Sequence, residues 1–265
     1  MIFDKIIDVI IVRIKRELVI IDFINGLPQR VLSVDMPSGI SGDTGAVMGT
    51  AVKADITATF ALPKVGLYQY PGREYAGRIE VVDIGIPASL LDDDDKLCNN
   101  LVDDALVSSI LRPRSANAHK GSLGHLLVVA GSTGKSGAAF LSATGAMRAG
   151  AGLVTLALPE SLNPVMEAKT TEVMTAPMPE TADGTLSSDA LAGLKGLIKG
   201  KSAIVIGPGL GTSKGTGELV KALLTDEDIK LPQILIDADG LNLLKDDIGI
   251  LKKLKTELVL TPHPG

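Results

Sequence analysis

The stretch His125 to Pro159, HLLVVAGSTGKSGAAFLSATGAMRAGAGLVTLALP, decides the fold. HLLVVAG is a short apolar run that ends on glycine and reads as a strand. SGAAFLSATGAMRAG suits a helix, and GLVTLALP is a second buried strand. The segment carries little charge between Ser136 and Pro159, where Arg148 stands alone. Four glycines interrupt that span (Gly137, Gly145, Gly150, Gly152), so it reads as a buried helix followed by a buried strand rather than a membrane crossing.

The same alternation continues downstream. PESLNPVMEAK is helix-like, SAIVIGPG a strand, GTGELVKALLT a helix, PQILIDAD a strand, DIGILKKLK a helix and ELVLTP a strand. Short buried strands alternating with helices predict a mostly parallel sheet covered on both faces. Ligands in such sheets bind beyond the carboxyl ends of the strands. The glycine-rich and polar residues fall there: Gly131-Ser132, Gly207-Pro208-Gly209, Asp237 with Asp239 and Asn242, and Thr261 to Gly265.

Each loop has two readings. AGSTGKSGAA lacks the P-loop's first glycine, because Val129 stands at that position inside the strand, so a Walker-type nucleotidase is rejected. The loop can still hold an anion at the start of a helix, or it can serve as a tight packing turn. GPGLG can offer bare backbone to a flat ligand. In DADGLN (Asp237 to Asn242) a carboxylate at the strand end can orient a sugar hydroxyl or a metal, but Asp239-Gly240 is also an ordinary turn. His263 either lines a pocket on this rim or is a solvated loop histidine.

Upstream, VLSVDM, ADITATFAL and RIEVVDIGI are short β-rich runs separated by the turn clusters PSGISGDTG and PKVGLYQYPGREYAG. In VDMPSG, Asp35 and Ser38 suit a hard cation or a ribose, or an Asx-type turn. An acidic, then polar stretch containing DDDDK and the helix-like DDALVSSIL reads as a linker, with domains expected at 1–100 and 101–265.

Composition narrows the function. Apolar residues make up 45% of the chain and aromatics 3%, with no Trp, so the core must be aliphatic. The 29 glycines among 265 residues exceed the average of about 7% and suit ligand-binding loops. A net charge of −5 and the scarcity of stacking aromatics argue against nucleic acid as the main partner. The single cysteine, Cys98, allows no internal disulfide and fits a cytoplasmic protein. The greasy N-terminus is broken by charges every few residues, unlike a signal peptide.

Together the motifs resemble a known family. HKGSLGHLLVVAGS (119–132), GAA (137–139), MRAGAGLVTLA (147–157), GPGLG (207–211), DADGLN (237–242) and LTPHPG (260–265) resemble, in order, the NAD(P)H-hydrate dehydratase domain. VDMPSGISGDTG (34–45), VKADITATFALPKVGL (52–67) and IEVVDIGIP (79–87) resemble the second half of the NAD(P)H-hydrate epimerase domain. The two are fused in bacterial bifunctional NAD(P)H-hydrate repair enzymes.

The resemblance implies an α/β chain: a partial Rossmann-type epimerase domain, then a truncated ribokinase-like domain. It implies repair of hydrated NADH or NADPH, with the R and S hydrates interconverted and the S form dehydrated. The implied cofactors are ADP (or ATP), Mg2+ and K+. Ala138, Gly209 and His263 match positions that line the hydrate pocket, Asp35 matches a residue that contacts the hydrate, and Ser38 matches a potassium ligand. The partner is a small molecule, with no membrane; a homo-oligomer stays open.

The resemblance stops short at both ends. The family's glutamate and GGTGD-type loop after HPG, with its catalytic aspartate, have no counterpart here, nor has the first part of the epimerase domain. Residues 1 to 30 read as disturbed. The expectation is an incomplete form, inactive or nearly so in both reactions, with no catalytic residue to assign. The alternatives are a ribokinase-like vitamin-precursor kinase and a non-catalytic nucleotide-binding remnant.

Overall fold

The computed structural model describes residues 17–87, 89–92, 97–111 and 113–263. Residues 1–16, positions 93–96 of the acidic run and Pro264-Gly265 of the terminal motif lie outside them. The chain divides into two compact units, Met1–Arg112 and Pro113–Gly265.

The first unit carries three parallel strands, β1 (Leu32–Val34), β2 (Ile56–Phe60) and β3 (Arg78–Val82), in the order β1-β2-β3. Leu32 pairs with Ile56, and Ile56 in turn with Arg78. Two alternate residues of β2, Thr57 and Thr59, are fully buried. Burial of a hydroxyl needs a partner. Thr57 donates to the Ala76 carbonyl at 2.7 Å, and Thr59 to the Asp35 carboxylate at 3.3 Å. Helix α1 (Glu17–Asn25) ends on Asn25, whose amide donates to Ala51 O and accepts from Lys53 N–H, fastening the helix to the segment before β2. The turn cluster PKVGLYQYPGREYAG contains two short helices, α2 (Val65–Tyr68) and α3 (Gly72–Ala76). Further along are α4 (Ser89–Asp92) and α5 (Asp104–Ile110), the latter capped by the Asp103 carboxylate accepting from Leu106 N–H.

The second unit is a six-stranded parallel sheet. Its strands are β4 (His125–Val129), β5 (Leu153–Pro159), β6 (Met174–Met178), β7 (Ala203–Ile206), β8 (Gln233–Asp237) and β9 (Leu258–Thr261), in the order β6-β5-β4-β7-β8-β9. The expected alternation is present, with α6 (Ser136–Ala149), α7 (Asn163–Lys169), α8 (Leu191–Ile198), α9 (Lys214–Thr225) and α10 (Asp239–Leu244) between strands. DIGILKKLK, expected as a helix, forms only tight 3-10 turns over Ile248–Lys253. Beta6 was not foreseen: Pro177 interrupts MTAPM, which is tolerated because β6 is an edge strand.

Side chains alternate across the sheet as the strand period requires. Leu127, Val129, Ile204, Ile206, Ile234 and Ile236 pack with α8, α9 and α10 on one face. Val128, Ala130, Val154, Leu156 and Leu158 pack on the other with Ala139 and Ala143 of α6 and Met166 of α7. Helix α6 buries only its small-residue stripe, and Leu141 is 70% exposed, so the helix is half-buried rather than buried throughout. Cover is also incomplete at β9, where Val259 is 54% exposed. Among the described residues, no helix is long and apolar enough to cross a membrane.

Candidate functional site

The strand order sets the location. From central β4 the chain runs outward through β5 to β6, then returns to the other side of β4 for β7, β8 and β9. The direction reverses between β4 and β7, so the loops after these two strands diverge at their carboxyl ends. Such a switch point is where open α/β sheets form ligand crevices.

The two loops are stitched together there. Gly131 N–H donates to Pro208 O at 2.9 Å, and the buried Ser132 hydroxyl donates to Gly209 O at 2.8 Å. Ala138, in the first turn of α6, meets Gly209: a Cβ built on Gly209 would lie 3.0 Å from Ala138 Cβ and 2.8 Å from Lys135 O. The fold therefore brings two of the expected pocket residues into contact from positions far apart in sequence.

The glycines of GPGLG do not simply offer bare backbone to a ligand. A Cβ on Gly207 would lie 1.8 Å from Asp237 O, and one on Gly240 would lie 2.8 Å from Ile206 O. The loops after β7 and β8 thus pack backbone against backbone, which only glycine permits. The open glycine faces belong to the loop after β4 and the first turn of α6. Nothing lies within 4 Å of a Cβ built on Gly134 or Gly137, so that side of the rim has room for a flat or anionic group.

Asp239 is a structural junction. Its carboxylate accepts from the Lys135 ammonium at 2.8 Å and from Gly211 N–H at 2.9 Å, joining the loops after β4, β7 and β8. Burial would raise its pKa, but hydrogen bonds from Lys135 and Gly211 and the lysine's charge outweigh that, leaving the carboxyl below the usual carboxylate range. Asp239 opens α10 rather than a simple turn. It follows Ala238, held at φ 45°, ψ −116°, a conformation that L side chains rarely adopt. Nothing local to Lys135 in the sequence points to Asp239, 104 residues away.

His263 lies on the same end of the sheet, exposed and two residues past β9. The edge strand β9 is separated from β7 by β8, about 10 Å at the usual strand spacing. A cleft of about 550 Å³ opens nearby, lined by Thr212, Ser213, Lys214, Lys221, Asn242 and Asp246 among others, but by none of Ala138, Gly209 and His263.

In the first unit Asp35 follows β1 at φ 66°. Its Oδ1 accepts from Phe60 N–H at 3.0 Å, from the Thr59 hydroxyl at 3.3 Å and from the Lys64 ammonium. These bonds reach across to β2 and its following loop, so this is not a local Asx turn. Burial would raise the Asp35 pKa, but Lys64, Phe60 and Thr59 together lower it. An ion pair with side chains 41% and 28% exposed contributes at most about 1 kcal/mol. A left-handed backbone costs about 1–3 kcal/mol and collects at functional sites. Stability alone therefore does not account for the arrangement.

Ser38, on the same loop, is exposed, and its carbonyl accepts Val52 N–H at 2.9 Å. A hard cation needs several oxygens. The Ser38 hydroxyl and Asp35 Oδ2 make no hydrogen bond among the described residues. Among the described residues no three His, Cys, Asp or Glu side chains gather; Mg2+ held by nucleotide phosphates and water needs at most one or two carboxylates from the protein.

A family model described as NAD(P)H-hydrate dehydratase matches residues 126–265, the whole run from β4 through the switch point to the terminal motif. The chain belongs to the NAD(P)H-hydrate dehydratase family. A second model, YjeF-related protein N-terminus, matches residues 13–66. The dehydratase-family relatives include the bifunctional NAD(P)H-hydrate repair enzyme Nnr of Moorella thermoacetica, 44% identical over 93% of this chain and 46% of its own length. The protein of the same name from Salinibacter ruber is 39% identical over 93% of this chain and 46% of its length. The chain thus spans about half the length of the curated relatives it matches. Among solved structures, the hypothetic protein SMU.573 from Streptococcus mutans aligns with a TM-score of 0.51 and 27% identity, over 62% of this chain and 55% of its own. The α/β architecture expected of the family is the one observed.

Proposed function

We propose that the complete gene product repairs hydrated NADH and NADPH, interconverting the R and S hydrates and dehydrating the S hydrate. The observation that carries this reading is the meeting of Ala138 with Gly209 at the β4/β7 switch point, within the segment matched by the dehydratase family. On this reading Ala138 and Gly209 form the wall of the hydrate pocket, and His263 closes it from the β9 side. The open backbone at Gly134 and Gly137, with the half-exposed Lys135 ammonium, faces the negatively charged part of the dinucleotide.

Hydroxide is a poor leaving group. Bound ADP (or ATP) with Mg2+ supplies the phosphoryl chemistry that makes the hydroxyl leave. This chain's residues contribute positioning, by holding the hydrated ring against a rim whose loops are locked to one another. Asp35 contacts the hydrate in the epimerase half, and Ser38 is one ligand of a potassium ion whose remaining oxygens come from elsewhere. The exposed lone Cys98 suits a cytoplasmic location.

The test supplies the complete gene product with S-hydrate and Mg2+, with and without ADP, and follows the return of NADH by absorbance. ADP-dependent recovery is the expected result. A stable phosphorylated product from a vitamin precursor, with no NADH from the hydrate, would overturn the reading in favour of a small-molecule kinase.

A further inference from the structure

We propose that Lys64 is the proton donor that works with Asp35 as base when the hydrate is epimerised. The proposal rests on the epimerase part of the reading above and deepens it. Three donors converge on one oxygen of Asp35, its Oδ1: Phe60 N–H at 3.0 Å, the Thr59 hydroxyl at 3.3 Å and the Lys64 ammonium. Its Oδ2 has no hydrogen-bond partner among the described residues. Lys64 makes a second bond, to Phe60 O at 2.7 Å. An ammonium has three N–H groups, so one is left uncommitted among the described residues. An open carboxylate oxygen and an open ammonium N–H therefore stand side by side.

Both groups are fixed in place. Asp35 is anchored by its own N–H donating to Ala58 O at 2.8 Å and by the buried Thr59. Lys64 is the residue immediately before α2, set by Pro63. The pair sits where two adjacent parallel strands, β1 and β2, end, and both side chains are partly exposed. Acid–base catalysis requires such a pair, preset and accessible.

Protonation of an electron-rich dihydropyridine falls on the carbon β to nitrogen, so water adds at the carbon bonded to nitrogen. The hydrate is then a hemiaminal. Asp35 Oδ2 takes the hydroxyl proton, and the O–H electron pair becomes the second bond of a carbonyl. The carbon–nitrogen bond breaks, and its electron pair on nitrogen takes a proton from Lys64. After the carbonyl turns its other face, nitrogen adds back and returns its proton to Lys64, while the oxygen recovers its proton from Asp35. The epimer results with no net change in protons or electrons.

The decisive variants are Lys64→Arg and Lys64→Met in the complete gene product, given the R hydrate of NADPH without ADP. Arginine keeps the charge and the carboxylate pairing but does not give up its proton. Both variants are expected to lower kcat for R-to-S conversion by about 100-fold or more, with KM little changed. If Lys64→Arg keeps wild-type kcat, Lys64 serves only to position Asp35 and the proposal fails. If the unsubstituted protein itself does not accelerate epimerisation, the epimerase reading falls and the proposal with it. A melting curve of Lys64→Arg matching the parent separates a chemical defect from a folding one.

Discussion

The Lys135 ammonium lies 2.8 Å from the Asp239 carboxylate, 104 residues away, and the same carboxylate oxygen accepts Gly211 N–H at 2.9 Å. One side chain thus holds three strand-end loops in register. Its two bonds differ in weight. Lys135 is 51% exposed, and its ion pair is screened by water. Gly211 is buried, and its N–H has no such recourse.

Asp239→Ala is therefore expected to destabilise the second unit by about 1–3 kcal/mol, the cost of a buried donor without a partner. Lys135→Met should cost less than about 1 kcal/mol. Urea denaturation of both variants checks this. Equal losses would show that the ion pair, not the backbone bond, dominates.

Two glycines should respond in opposite directions. Gly207→Ala forces a Cβ to within 1.8 Å of Asp237 O at φ 132°, a clash that costs more than about 4 kcal/mol and abolishes folding of this unit. Gly145 lies inside α6 with nothing within 4 Å of a built Cβ. Gly145→Ala should stabilise by about 0.4–1 kcal/mol, because it restricts the unfolded chain at no native cost. Thermal melts of the two proteins read out both.

His125 gives a pH signature. Its ring nitrogen Nε2 lies 2.8 Å from the Thr155 hydroxyl, and burial, with Lys201 nearby, lowers its pKa. The unfolded chain then binds the proton more readily than the folded one. Stability is full above the ordinary histidine value of about 6.5, and it declines as pH falls from there toward the lowered folded value. His125→Gln should flatten that decline. Denaturant midpoints measured across this window, wild type against variant, supply the check.

Much of this fold is legible in the sequence because β4, α6 and β5 differ sharply in period and length. The same logic locates β7, β8 and β9. Beta6 escapes because Pro177 breaks its apolar run, and α10 because Asp239-Gly240 reads as a turn until its neighbours are known. The rim itself could be foreseen, since parallel strands place their ends together. Its contacts could not. The Lys135–Asp239 bond joins elements distant in sequence, and Lys64 sits in a proline-containing turn where nothing local points to Asp35. The glycines of GPGLG were visible, but that their bare faces meet other loops is a property of the packed structure.

The central claim is that the rim around Ala138 receives the hydrated nicotinamide nucleotide. The most direct measurement is the melting temperature of the chain with and without NADPH hydrates, in the wild type and in Ala138→Leu. Ligand at a hundred times Kd stabilises by about 2.7 kcal/mol, which raises Tm by about 5–10 °C in a unit of this size. The account predicts that shift for wild type and its loss in Ala138→Leu, whose added bulk fills the wall beside Gly209. No shift in the wild type, or an undiminished one in Ala138→Leu, would contradict it.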